Sequence, residues 1–99
     1  MTVEEIREKV LDPKKLPLPE KPIVLDIRLQ RFEDHTGEDA LDVWAIVDET
    51  TTRADRTVDN RRAIQHAVRN ALRAAGIEWF PILHLVTLSD VKEAGIKLP

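Results

Sequence analysis

A chain of 99 residues, 42% apolar and 33% charged, is one folded domain with a modest core rather than a disordered segment. Zero cysteines exclude disulfides, thiol catalysis and cysteine-ligated zinc, and no apolar run approaches the about 18 residues of a membrane span. The formal net charge of −3 hides an asymmetry: between Asp26 and Glu49 eight acids stand against Arg28 and Arg31, whereas between Arg53 and Arg73 six arginines stand against Asp55 and Asp59. Either the two halves neutralise each other in the fold, or a basic patch stays free for a partner.

The acidic start, Met1 to Glu5, lacks the apolar stretch of a secretory signal, so the expected location is cytoplasmic. Thr2-Val3-Glu4-Glu5 has capping-box spacing, which predicts a helix starting after Thr2, with Ile6 and Val10 as its apolar stripe and Leu11 as a candidate third member. Asp12-Pro13 ends that helix, because a residue before proline avoids the helical region. Pro13, Pro17, Pro19 and Pro22 then make residues 13–22 an extended linker, and Pro19-Glu20-Lys21-Pro22 reads as a spacer rather than an SH3 ligand. The expected organisation is an N-terminal helix over 1–12, a proline-rich linker over 13–22 and a domain over 23–99.

Residues 23–31 alternate strictly, with Ile23, Leu25, Ile27 and Leu29 on one face and Val24, Asp26, Arg28 and Gln30 on the other, the period of a half-buried strand. A polar turn around Gly37 leads to a second strand over 41–48 that is apolar on both faces, with Leu41, Val43, Ala45 and Val47 against Trp44 and Ile46. The two strands pair as a hairpin. From Thr57 or Val58 to Ala75 the residues Ile64, Val68, Ala71, Leu72 and Ala75 fall on one helical face, and Gly76 is the expected left-handed stop. Pro81 opens a third strand over 82–88, and Ser89-Asp90 is read as the cap of a short helical turn ending at Gly95. The fold class is therefore α+β: a ββαβ unit with a three-stranded, largely antiparallel sheet in the order 2-1-3 and one long helix on one face.

One helix covers one face of such a sheet. The opposite face then shows Val24, Trp44, Ile46 and one apolar set from the third strand, and leaving several such side chains in water forfeits a few kcal/mol at about 25 cal/mol per Å². Three covers are open: the N-terminal helix, a second copy of the chain, or a different protein. Trp79-Phe80, before the third strand, is either a plug of the core or an interface anchor. The residues assigned to partner binding are Val24, Trp44, Ile46, Trp79 and Phe80.

Arg62, His66, Arg69 and Arg73 form a second stripe, spaced four, three and four apart, without an acidic member. A solvated face, an acidic protein or RNA all fit it, although nucleic-acid binders are usually basic overall and this chain is not. Asp34, His35, Glu38 and Asp39 match no calcium loop and read as a solvated turn. Asp48, Glu49 and Asp90 at strand ends lack a supporting nuclease motif. His84 reads as a satisfied, half-buried histidine, since the sequence proposes neither an orienting acid nor a nucleophile for it. There is no Walker loop, GxGxxG, GxSxG or HExxH, so neither catalysis, nor a cofactor, nor a small-molecule substrate is expected.

The segments Gly37-Glu38-Asp39-Ala40-Leu41, Val43-Trp44-Ala45-Ile46-Val47-Asp48 and Phe80-Pro81-Ile82-Leu83-His84-Leu85-Val86-Thr87-Leu88-Ser89-Asp90 resemble a set of small, uncharacterised prokaryotic ββαβ proteins. That set shares a G-x-D/E-A-L hairpin and an F-P-x-x-x-aliphatic-V-x-x-S-D/E strand, and is often encoded beside HEPN-like helical proteins in the manner of toxin–antitoxin pairs. The resemblance spans residues 23–90, implies a gene-pair partner and carries over no catalytic residue. The sequence thus leads to a non-enzymatic, antitoxin-like accessory module that binds a small helical protein, or itself as a homodimer. Binding of RNA through the arginine stripe is the alternative.

Overall fold

The computed structural model describes residues 2–52 and 54–99. The capping box forms as the sequence implies: the Thr2 hydroxyl oxygen accepts the Glu5 amide at 3.2 Å and the Glu5 carboxylate accepts the Thr2 amide at 3.4 Å. Helix α1 (Val3–Glu5) runs directly into a π-helical stretch, Ile6–Val10. There the Leu11 amide donates to the Ile6 carbonyl at 2.8 Å, a five-residue closure. That spacing is why Ile6 and Leu11 are both fully buried, while Val10, a neighbour of Ile6 at ordinary helical spacing, is only half-buried.

The proline-rich stretch is not a free spacer. Leu16 and Leu18 pack against the core and Pro22 is among the fully buried side chains, so residues 13–22 belong to the domain.

Strands β1 (Val24–Glu33), β2 (Asp39–Val47) and β3 (Phe80–Val86) form one mixed sheet in the order β1-β2-β3. β1 and β2 pair antiparallel, and β2 and β3 pair parallel. The α+β class and the long helix stand, whereas the expected 2-1-3 order does not. The link from β2 to β3 contains a helix, and a helical crossover returns a strand parallel to the one it left. The central place goes to β2, the strand with apolar residues on both faces. β1, with one charged and polar face, lies at an edge.

A register shift between Val24 and Asp26 leaves Leu25 as an extra residue in β1. It inverts the alternation before it. Val24 packs against the core beside Ile27 and Leu29, while Ile23 and Leu25 are 50% and 55% exposed. The expected face of Ile23, Leu25, Ile27 and Leu29 is thus split by the bulge.

Helix α2 (Val58–Ala74) starts where the Thr57 hydroxyl accepts the Asn60 amide at 3.1 Å. It ends where Gly76, at φ +75°, lets its own amide reach the Arg73 carbonyl and the Ile77 amide reach the Leu72 carbonyl. Ile64, Val68 and Leu72 of α2 join Ile6 and Leu11 in a single core with Ile27, Leu29, Leu41, Val43, Ala45 and Leu83. By the pairing register those strand residues all lie on one face of the sheet, so the long helix and the N-terminal segment cover the same side. Both outer edges carry an arginine on a strand carbonyl: Arg7 Nε donates to Ile27 at 3.1 Å on β1, and an Arg61 guanidinium nitrogen donates to Leu83 at 2.6 Å on β3.

β3 ends before Thr87, two residues earlier than its sequence implies, because Thr87 rather than Ser89 caps the last helix, α3 (Leu88–Ala94). Asp90 completes a capping box with Thr87 instead of starting the helix.

Candidate functional site

The register defines the other face of the sheet as four rows across the strands: Phe32, Ala40 and Phe80; Gln30, Asp42 and Ile82; Arg28, Trp44 and His84; Asp26, Ile46 and Val86. The apolar residues of α2 and of the N-terminal segment pack on the opposite face, and among the described residues these elements reach this one through arginines, Arg7 beside Asp26 and Arg69 near Phe80. Phe80 is 54% and Ile82 37% exposed, and Phe32, Trp44 and Val86 are half-buried. Ile46 is buried, at the end of the face where β3 gives way to α3.

The polar groups on this face bond one another. His84 stacks on Trp44 with ring centroids 4.1 Å apart and planes 18° apart. The His84 Nε2 lies 2.9 Å from the Asp42 carboxylate. Asp26 holds Arg28 at 2.9 Å and lies 3.7 Å from Arg7. Asp42 is the orienting acid that the sequence did not propose for His84. The two are 42 positions apart and meet only through the β2–β3 register, so no local pattern announces them. The chain's one serine, Ser89, donates its hydroxyl to Glu49 at 2.8 Å.

The five residues assigned to partner binding divide between the two faces. Trp44, Ile46 and Phe80 lie on the open face. Val24 packs against the core because of the bulge, and Trp79 packs against it from the helix-covered side, with the Arg31 guanidinium 4.5 Å from its ring. Ile82, His84 and Phe32 belong to the open face, and the strict alternation of β3 and β1 would have found them once β2 was set at the centre.

The arginine stripe is solvent-facing. Arg62, His66 and Arg73 are exposed and Arg69 is half-exposed. Among the described residues none of the four is in an ion pair; the hairpin acids pair instead with the hairpin's own arginines, Asp26 with Arg28 and Asp39 with Arg31 at 2.8 Å. Among the described residues the acidic hairpin and the basic helix therefore share no ion pair. Arg69 approaches Phe80, its guanidinium 5.6 Å from the ring.

The acidic turns are occupied by local bonds. Asp34 accepts from the Thr36 hydroxyl and amide and from the Glu38 amide, and these bonds, led by the Thr36 hydroxyl, hold its carboxyl below the usual range. Asp48 does the same with Thr50, and Glu49 binds the Ser89 amide and hydroxyl. Among the described residues no cluster of three or more histidine or carboxylate groups is placed to hold a metal ion. Among those residues, too, no helix is long and apolar enough to cross a membrane.

Against known proteins, no family model matches this chain, and neither a curated protein nor a solved structure matches it.

Proposed function

We propose that this chain is a non-enzymatic, antitoxin-like accessory module that binds a second protein over the open face of its sheet. The observation that supports this reading is the face itself: Phe80, Ile82 and Trp44 present apolar surface, while Asp26, Arg28, Asp42 and His84 bond among themselves. Polar groups already bonded to one another allow such a face to be dried without a complementary charge opposite, and covering the exposed part of Phe80 or Ile82 contributes about 0.5–1.5 kcal/mol each. The arginines on both sheet edges oppose strand addition, so the contact is made face-on.

Size chooses between a second copy and a different protein. The seven rows shared by all three strands span roughly 23 Å by 14 Å, or about 320 Å². Two such faces stacked flat would bury roughly 650 Å², under the roughly 1,200 Å² of a stable interface. A different protein, with helices that reach past the sheet onto exposed Ile23 and Leu25, fits better than a homodimer. In this reading the module acts in the cytoplasm together with that partner.

RNA binding on α2 is the second reading, supported by the absence of carboxylate partners for Arg62, His66, Arg69 and Arg73 among the described residues. Affinity purification of wild type, Trp44→Asp, Ile82→Lys and Arg69→Glu/Arg73→Glu separates the two. The protein-binding reading expects a partner lost in the first two variants and indifferent to salt. The RNA reading expects loss only in the arginine variant and affinity that falls steeply as salt rises.

A further inference from the structure

Two adjoining clefts, of about 670 and 520 Å³, open where α2 stops and β3 begins, beside the β1–β2 turn. Leu72, Ile77 and Pro81 give the second an apolar lining, with Trp79 and Phe80 beside them. Arg69 and Arg73, the last two members of the α2 stripe, line it as well. The sequence assigns the arginines to one partner and the aromatic pair to another; the fold puts all four on a single groove.

We propose that this groove binds one nucleotide unit of a single-stranded nucleic acid. Its base lies against Phe80 and Trp79 and its phosphates lie on Arg69 and Arg73, with the strand continuing along α2 toward His66 and Arg62. The inference rests on the second reading above and shares Phe80 with the open face. Three observations carry it. Arg69 and Arg73 have no carboxylate within ion-pair distance among the described residues, so their charge is available to a phosphate. Phe80 is 54% exposed with the Arg69 guanidinium 5.6 Å from its ring, and Arg31 lies over the Trp79 ring at 4.5 Å, so exposed aromatic surface adjoins cations, the combination that holds single strands. The volume of about 520 Å³ suits one planar ligand unit. Arg73 in the last turn of α2 offsets the partial negative charge of that helix end. Glu38 and Glu78 also line the groove. They repel phosphate, which confines it to the α2 wall, and they accept from amino-bearing base edges, so cytosine is preferred to uracil.

The test uses the full chain with fluorescein-labelled 12-nucleotide oligo(C) and oligo(U) RNAs at low salt. The Trp44→Phe variant leaves Trp79 as the sole tryptophan, and the buried Trp44 Nε1 has no hydrogen bond to lose. Oligo(C) is expected to quench Trp79 and to bind more tightly than oligo(U). Arg69→Ala/Arg73→Ala should lower the slope of log affinity against log salt by about 1.4 for two lost phosphate contacts. Phe80→Leu, which keeps the apolar volume and loses the ring, should weaken binding about tenfold. Binding that responds to the arginines but neither quenches Trp79 nor changes in Phe80→Leu overturns the groove while leaving RNA on the stripe. Absence of binding, or binding unchanged in both variants, overturns the groove and the stripe reading together, as does equal competition by polyglutamate with no aromatic dependence.

Discussion

Asp90 shows how much of this fold rests on short, local polar bonds. Its carboxylate accepts the Thr87 amide at 3.0 Å and reaches Arg56 at 3.1 Å, and these contacts, the Thr87 amide first, hold the carboxyl below its ordinary value of 3.8. A carboxyl whose folded pKa is lowered stabilises the fold above its unfolded pKa, and that contribution disappears as pH falls through the folded value. Asp34, Asp48 and Asp55 are shifted the same way by bonds to Thr36, Thr50 and Thr52. Thermal melts between about pH 5 and pH 2 should therefore show steadily falling Tm, and Asp90→Asn/Asp48→Asn should flatten that fall. Gly76 tests backbone rather than charge. A Cβ there meets nothing within 4 Å, so Gly76→Ala costs only the left-handed conformation, about 1–2 kcal/mol by denaturant titration. A loss several times larger would mean that the α2–β3 turn packs more tightly than this space implies.

Among the elements, the N-terminal segment carries the clearest stability prediction. Leu11→Ala should cost about 2–4 kcal/mol, as much as a truncation in α2, because Leu11 is buried in the same core as Ile64 and Val68. Val10→Ala should cost less than half of that; equal costs would argue for an ordinary α-helix in place of the π-helical stretch. This segment also marks what a sequence conceals. Helix α2 was legible at both ends because Thr57, the Ile64-Val68-Leu72 stripe and Gly76 each signal through local rules. The bulge at Leu25 and the five-residue closure at Leu11 were not, since each displaces the pattern by one residue without changing composition. The strand order was half-written: the two-sided apolar pattern of β2 is that of a central strand, and the 2-1-3 order gave that place to β1, whose second face is charged and polar. The open face was legible as a surplus of apolar residues around Trp44. Its membership was not, because the Trp44–His84 stack and the Asp42–His84 bond join strands through register alone.

At the scale of the whole molecule, the sheet has one covered face, two arginine-blocked edges and one open face. The open face is proposed to take a protein partner, and the opposite layer, with its stripe and terminal groove, an anion. The two surfaces are separated by the sheet and α2, meeting only at Phe80, so a variant of Ile82 probes the first without touching the lining of the second. The most direct test is to purify wild type and Ile82→Lys from the native cell at about 1 M salt, where exposed charge contacts are screened to about 3 Å. Circular dichroism should confirm that both are folded, and protein stoichiometry should be measured in each eluate. The account predicts a second protein in fixed ratio with wild type and its loss from Ile82→Lys. A wild-type chain that emerges alone and monomeric, or a partner retained equally by Ile82→Lys, would contradict it.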